Sequence, residues 1–129
     1  MKKKLAAIVG VMSIAAAVSV SAGTTYSSYS TTVGAFNGDG YTSYSQTKTT
    51  SGANGYVKSS TVGGNYVVDV RMQDAQGNSG DWARNLGDGD GLVLDGHINH
   101  IKGDAMRLHF SNDFDTSVNV QVSGSWKSN

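Results

Sequence analysis

The chain reads as an all-β protein: a small antiparallel β-sandwich of about seven strands behind a cleavable export signal. Three observations predict this. Apolar and polar residues alternate with period two over three stretches of the second half. Clusters of Gly, Asn and Asp separate those stretches as turn signals. The composition also opposes helix, because all ten acidic residues are Asp and 17 glycines accompany abundant Ser and Thr.

At the N-terminus, Lys2, Lys3 and Lys4 form a positive head, an uncharged run follows over residues 5–20, and Ser21-Ala22-Gly23 is a small-residue exit. This is the form of a secretory signal peptide. A membrane anchor competes with it, but the run is short and diluted by Ala, Gly and Ser, whereas a stable span needs about 20 predominantly apolar residues. The small residues place cleavage after Ala22, with Ser19 as the alternative. The expected organisation is a signal peptide over residues 1–22 and one β-sandwich domain over residues 23–129. That domain is expected to be secreted to the extracellular space, with no transmembrane anchor in the mature chain. Without the three leading lysines, seven basic side chains face ten acidic ones, a net charge of about −3. No basic footprint is left for nucleic acid, and no polybasic patch for anionic lipid. Export permits disulfides, yet the chain has no cysteine, so stability must come from packing and the sheet ladder.

The elements follow in order. Residues 24–33 and 41–50 are rich in Thr, Ser and Tyr and read as two polar edge strands linked by residues 34–40. A flexible Ser/Thr/Tyr-rich arm over residues 23–50 is the alternative. Tyr26 and Tyr29 are three apart, as are Tyr41 and Tyr44, so neither pair shares a strand face. Residues 56–62 form a strand, and Gly63-Gly64-Asn65 reads as a tight hairpin into the next. There Tyr66, Val68, Val70 and Met72 alternate with Val67, Asp69, Arg71 and Gln73. Residues 75–80 end that strand, and residues 81–86 are the one place that could hold a helical turn. A strand over residues 92–101 is joined by Lys102-Gly103-Asp104 to another, in which Met106, Leu108 and Phe110 alternate with Arg107, His109 and Ser111. Residues 112–117 lead to the last strand, where Val118, Val120, Val122 and Trp126 face the core against Asn119, Gln121 and Ser123. Connections this short suit antiparallel neighbours. A small barrel is the alternative closure.

The most suggestive motif is the acidic loop Gly87-Asp88-Gly89-Asp90-Gly91. With Asp95 it offers three carboxylates of the kind Ca²⁺ takes, so Asp88, Asp90 and Asp95 are the candidate metal ligands. The EF-hand pattern wants Asp or Asn where Leu92 stands, and no Glu closes the loop. Asp-Gly is also ordinary turn chemistry, so the loop is read as a plain turn and no cofactor is expected. His97 and His100 lie three apart on a predicted strand and point to opposite faces, which prevents them from sharing a metal. Asp95 and His97 share a face, and His109 lies on the polar face of the neighbouring strand, but no nucleophile stands beside such a His–Asp pair. There is no Gly-Xaa-Ser-Xaa-Gly, no cysteine nucleophile and no Glu for a glycosidase pair, so a non-enzymatic protein is expected. The candidate binding residues are Tyr26, Tyr29, Tyr41, Tyr44 and Trp82, since exposed Tyr and Trp anchor proteins or sugars.

The ending Val118-Asn-Val-Gln-Val122-Ser-Gly-Ser-Trp126, the strand over residues 66–73 with its Gly-containing turn, and the lysine-led signal are similar to one family. It comprises small secreted proteins of Gram-positive bacteria, catalogued only as a domain of unknown function. The resemblance covers roughly residues 56–126 and brings no catalytic residues. The stretch Tyr41-Thr-Ser-Tyr44-Ser-Gln-Thr-Lys48, in an exported disulfide-free sandwich, resembles the lactococcin-type bacteriocins, although their usual run of cationic and aromatic residues is missing. These resemblances imply a secreted, non-enzymatic extracellular interaction protein, a bacteriocin-like antagonism factor acting on a competitor's envelope. Its partner would be an extracellular protein or envelope component. The alternative is a cell-surface or matrix module that binds polysaccharide or calcium.

Overall fold

The alternation in the sequence becomes the inner face of a two-sheet β-sandwich in the computed structural model, which describes residues 20–129. Most of the expected signal peptide lies outside the described residues, but Ser21 and Ala22, which cleavage after Ala22 would remove, pair with Gln46 and Thr47 at the sheet edge. The strands are β1 (Ser21–Ala22), β2 (Ser27–Val33), β3 (Asp39–Tyr41), β4 (Gln46–Thr47), β5 (Gly55–Val62), β6 (Val68–Asp74), β7 (Ala83–Leu86), β8 (Gly91–Leu94), β9 (Ala105–Asn112) and β10 (Val120–Lys127). One sheet runs β1-β4-β9-β6-β7, with β3 also paired to β9, and the other runs β2-β10-β5-β8. All pairs are antiparallel except the short β1–β4 pair, which is parallel.

Strands β3 and β4 lie against successive stretches of one edge of β9 and behave as a single interrupted strand. Thr42 bridges the break by donating its N–H to the Leu108 carbonyl and accepting the Leu108 N–H on its hydroxyl.

The core forms where the two inner faces meet. Val68, Val70, Met72, Met106, Leu108 and Phe110 from one sheet pack with Val57, Val62, Val120, Val122 and Trp126 from the other. Burying each such side chain contributes about 1.5–3 kcal/mol. On β5 the inward parity changes: Val57 and Ser59 face in, Ser60 and Thr61 both face out, and Val62 faces in again. A bulge opposite Ser123 and Gly124 absorbs the extra residue and turns Val62 back toward the core.

Several expectations about connections fail for one reason: alternation marks faces but not partners. Seven of the nine links between successive described strands cross from one sheet to the other. Gly63–Asn65 is therefore no hairpin. It is a single 3-10 turn with Gly64 and Asn65 at φ 66° and 64°, and it carries the chain from β5 to β6 in the opposite sheet. Tyr66 precedes β6 and is exposed. Residues 102–104 and 112–117 likewise switch sheets. Only β6 and β7 pair as consecutive strands among those described, around residues 75–80. There the buried Asp74 carboxylate accepts the N–H groups of Gln76 and Asn78 and the Asn78 side-chain amide.

The one stretch that could hold a helical turn, residues 81–86, instead leads into β7, irregular in register and with Asn85 at φ 63°. The strand expected over residues 92–101 stops at Leu94. Beyond it the His97 N–H is taken by His100 Nδ1 and the Asn99 N–H by His97 Nδ1, so side chains hold donors a ladder would need. Val118 precedes β10 and is 42% exposed, while Val120, Val122 and Trp126 are buried. Its carbonyl is bound by Asn112 Nδ2 within the crossing segment. No helix among the described residues is long and apolar enough to cross a membrane.

Candidate functional site

With Met106, Leu108 and Phe110 turned inward, β9 must present Arg107, His109 and Ser111 on the outside. By the same parity β6 presents Asp69, Arg71 and Gln73, and β3 presents Asp39 and Tyr41. Register places these in cross-strand rows: Asp39–Ser111–Asp69, Tyr41–His109–Arg71 and Arg107–Gln73. Trp82 comes from the residue just before β7, and Tyr44 from the break between β3 and β4.

His109 sits at the centre, only 6% exposed. The Tyr41 ring stacks on it at 4.4 Å and 16°, and the Trp82 ring leans against it at 4.9 Å and 59°. The Arg71 guanidinium lies 4.2 Å from the centroid of Trp82. That of Arg107 lies 4.1 Å from Tyr41 and 4.9 Å from Tyr44. Arg71 Nε donates to His109 Nδ1 at 3.1 Å, so that ring nitrogen carries no proton. The proton is on Nε2, which donates to Asp39 Oδ1 at 2.7 Å. Burial lowers the His109 pKa below its ordinary 6.5; the bond to Asp39 opposes this, and the nearby Arg71 and Arg107 add to it. The imidazole is neutral with both nitrogens engaged, leaving none free to take a substrate proton.

The chain has three arginines, Arg71, Arg84 and Arg107, and all three lie on this face. Arg84 is ion-paired to Asp69 at 2.7 Å, and Asp69 also accepts the Asn85 N–H. Arg107 donates from Nε and Nη2 to Gln73 Oε1 at 2.9 and 2.7 Å. Among the described residues no carboxylate pairs with Arg71 or Arg107. Both terminal nitrogens of Arg71 and Nη1 of Arg107 are also without an acceptor there. Two guanidiniums thus stand fixed in direction with no carboxylate paired to either, although Asp39 and Asp69 share the face.

Of the candidates read from sequence, Tyr41, Tyr44 and Trp82 meet here. Tyr41 and Tyr44 converge on Arg107 although three apart, because the strand breaks between them and the face rule no longer applies. Tyr26 lies apart, beside Lys58 at 4.3 Å and Lys127 at 5.2 Å. Tyr29 belongs to the core, 6% exposed and 5.3 Å from Phe110, and does not offer its ring to a ligand. Burial pushes its phenol up to about 12, with the neighbouring Ser59 hydroxyl opposing.

On the acidic loop, Asp88 Oδ1 accepts the Val62 N–H and Asp90 Oδ2 accepts the Gly87 N–H at 2.9 Å. Asp95 begins the following loop. Among the described residues, no three His, Cys, Asp or Glu side chains gather closely enough to hold a metal ion. His97 and His100, expected on opposite strand faces, lie in a loop with ring centroids 5.6 Å apart. His100 is fully buried and neutral: Nδ1 accepts the His97 N–H and Nε2 donates to the Asn78 carbonyl at 2.9 Å. Burial lowers its pKa.

Arg71, Arg107, Asp39 and Gln73 were not singled out in the sequence. Arg71, Gln73 and Arg107 stand there as the polar halves of two alternating strands, but only the β6–β9 register brings them together. No family model, curated protein or solved structure matches the chain.

Proposed function

We propose that the protein is a secreted, non-enzymatic interaction protein that binds a glycan of a cell envelope through the outer face of its six-stranded sheet. One observation carries this reading. Tyr41, Tyr44 and Trp82 gather with all three arginines of the chain on one open face around a buried histidine. From β3 across β9 and β6 to β7 that face spans about 14 Å, taking strands roughly 4.8 Å apart, which suits a short oligosaccharide better than a single sugar. Tyr and Trp offer rigid apolar planes at low entropic cost, and polar groups beside them fix orientation. The engaged nitrogens of His109 support binding over catalysis. In its bacteriocin-like form, this reading has the bound envelope belong to a competing Gram-positive cell.

The test is co-sedimentation of the purified protein with protein-stripped Gram-positive envelopes. Wild type is expected to sediment, and Tyr41→Ala or Trp82→Ala to stay largely in solution while keeping the wild-type circular dichroism spectrum. Equal sedimentation of all three proteins, or of none, overturns the reading. A growth-inhibition assay on the same strains tests antagonism separately: binding without inhibition removes that part alone.

A further inference from the structure

We infer that the ligand of this face is an acidic polysaccharide whose sugar rings carry carboxylates, recognised by Arg71 and Arg107. The inference rests on the glycan-binding reading above and specifies its ligand.

The charges of the domain are sorted by type. Residues 20–129 carry seven basic and ten acidic side chains, yet every arginine lies on this one face. The lysines are elsewhere: Lys48 is buried, Lys58 and Lys127 flank Tyr26, and Lys102 is in a loop. In a domain with excess Asp, only Arg84 of the three arginines is neutralised by a carboxylate. A neutral glycan would offer Arg71 and Arg107 only hydroxyl acceptors in exchange for water, whereas a carboxylate supplies the stronger charge-assisted hydrogen bonds.

Both guanidiniums are also preorganised. Arg71 is held by its bond to His109 and its place over Trp82, and Arg107 by its two bonds to Gln73 and its place over Tyr41. Little side-chain freedom is left to lose on binding. The neutral state of His109 serves this arrangement, since it accepts Arg71 Nε–H and leaves the terminal nitrogens for a ligand.

A guanidinium edge matches a planar carboxylate with two parallel hydrogen bonds. Each guanidinium lies over an aromatic ring, Arg71 on Trp82 and Arg107 on Tyr41, and Tyr41 also stacks on His109 yet is 42% exposed. The fitting ligand therefore joins an anion to a ring whose apolar flank can lie against these stacked groups. A carboxylated pyranose does so; a polyol phosphate has the anion without the ring.

The secreted protein, without its signal peptide, is titrated calorimetrically with a polyuronate, with the same polymer after methyl esterification, and with poly(glycerol phosphate). The polyuronate is expected to bind at least about tenfold more tightly than either, with an affinity that weakens as salt rises. Arg71→Gln and Arg107→Gln should each lose about tenfold or more. Arg71→Lys and Arg107→Lys, which keep the charge and guard against misfolding, should lose part of the affinity with the fork. Equal binding of the esterified polymer overturns this inference and leaves the glycan reading standing. Preference for poly(glycerol phosphate), or full affinity in all four arginine variants, also overturns it. If none of the three polymers binds and the envelopes do not sediment the protein, both readings fall.

Discussion

Lys48 reaches its Nζ into the interior, where it donates to the carbonyl of Ser128 at 2.6 Å and to that of Ala53. The side chain is 1% exposed, and neither contact is a carboxylate. Just before it, Gln46 accepts the Ser128 N–H and donates to the carbonyls of Thr25 and Trp126. Gln46 in β4 and Lys48 just after it thus tie the last residues to the rest of the fold through buried polar groups that are hydrogen-bonded, which makes their burial tolerable.

Burial lowers the Lys48 pKa from its ordinary 10.5 to about 8. Between those values the unfolded chain binds the proton and the folded chain does not, so stability rises with pH across that window. Tyr29 acts in the opposite sense. Its phenol is raised from 10.0 to about 12, so above pH 10 the unfolded chain ionises first and stability falls. The urea midpoint of the wild type should therefore climb from pH 8 toward 10 and turn over above 10. Lys48→Met should abolish the climb and keep the turnover. A wild-type profile that is flat from pH 8 to 10 would contradict this assignment.

The two buried histidines govern the acid side. Both have pKa values lowered below 6.5, chiefly by burial. As pH falls through 6.5 the unfolded chain takes up protons that the folded chain refuses, so stability is full above that value and declines below it. Their hydrogen bonds assign both rings to the Nε2–H form. Long-range proton–nitrogen spectra should show this tautomer for His100 and His109 near neutral pH. An Nδ1–H signal from His109 would break the proposed support of Arg71.

Period-two alternation exposed β6, β9 and most of β10 directly, because a half-buried strand has no other way to hide its apolar side chains. What it could not expose was which strands are neighbours. Arg71 and His109 are far apart in the chain, and only the β6–β9 register makes them a pair. The convergence of Tyr41 and Tyr44 was hidden differently: a regular strand would separate them, and only the break between β3 and β4 brings both to Arg107. Tyr29 shows the reverse error, where a polar, Ser-rich context concealed a core residue.

Gly124 marks a close approach at the β5 bulge. A Cβ there would lie well inside contact distance of the Lys58 carbonyl oxygen and 2.8 Å from the Tyr29 hydroxyl. The carbonyl is backbone and has no flexible end to yield, so β5 and β10 must separate. Overpacking of this kind costs about 1–3 kcal/mol, and Gly124→Ala should lower the urea midpoint accordingly. Tyr29→Phe relieves only the side-chain contact, so adding it should not restore the midpoint. Full recovery in the double variant would place the constraint on the Tyr29 hydroxyl instead of the strand.

The boundary of β10 gives the most direct check of the fold, because three nearby positions divide into two outcomes for one new side chain. Val120 is 1% exposed between the sheets, Gln121 next to it faces solvent, and Val118 stands outside the strand and is exposed. Val120→Asp places an unpaired carboxylate in the core, costing several kcal/mol or forcing the group to stay protonated. A domain of this size holds only about 5–10 kcal/mol of stability, so little folded protein should survive that change at neutral pH. Gln121→Asp should cost under about 1 kcal/mol, as surface substitutions usually do. Val118→Asp should behave like Gln121→Asp, although an unbroken alternation would group it with Val120. Urea melts followed by circular dichroism distinguish the cases. If Val118→Asp proves as damaging as Val120→Asp, the inner face begins two residues earlier, and the crossing from β9 to β10 must follow a different path.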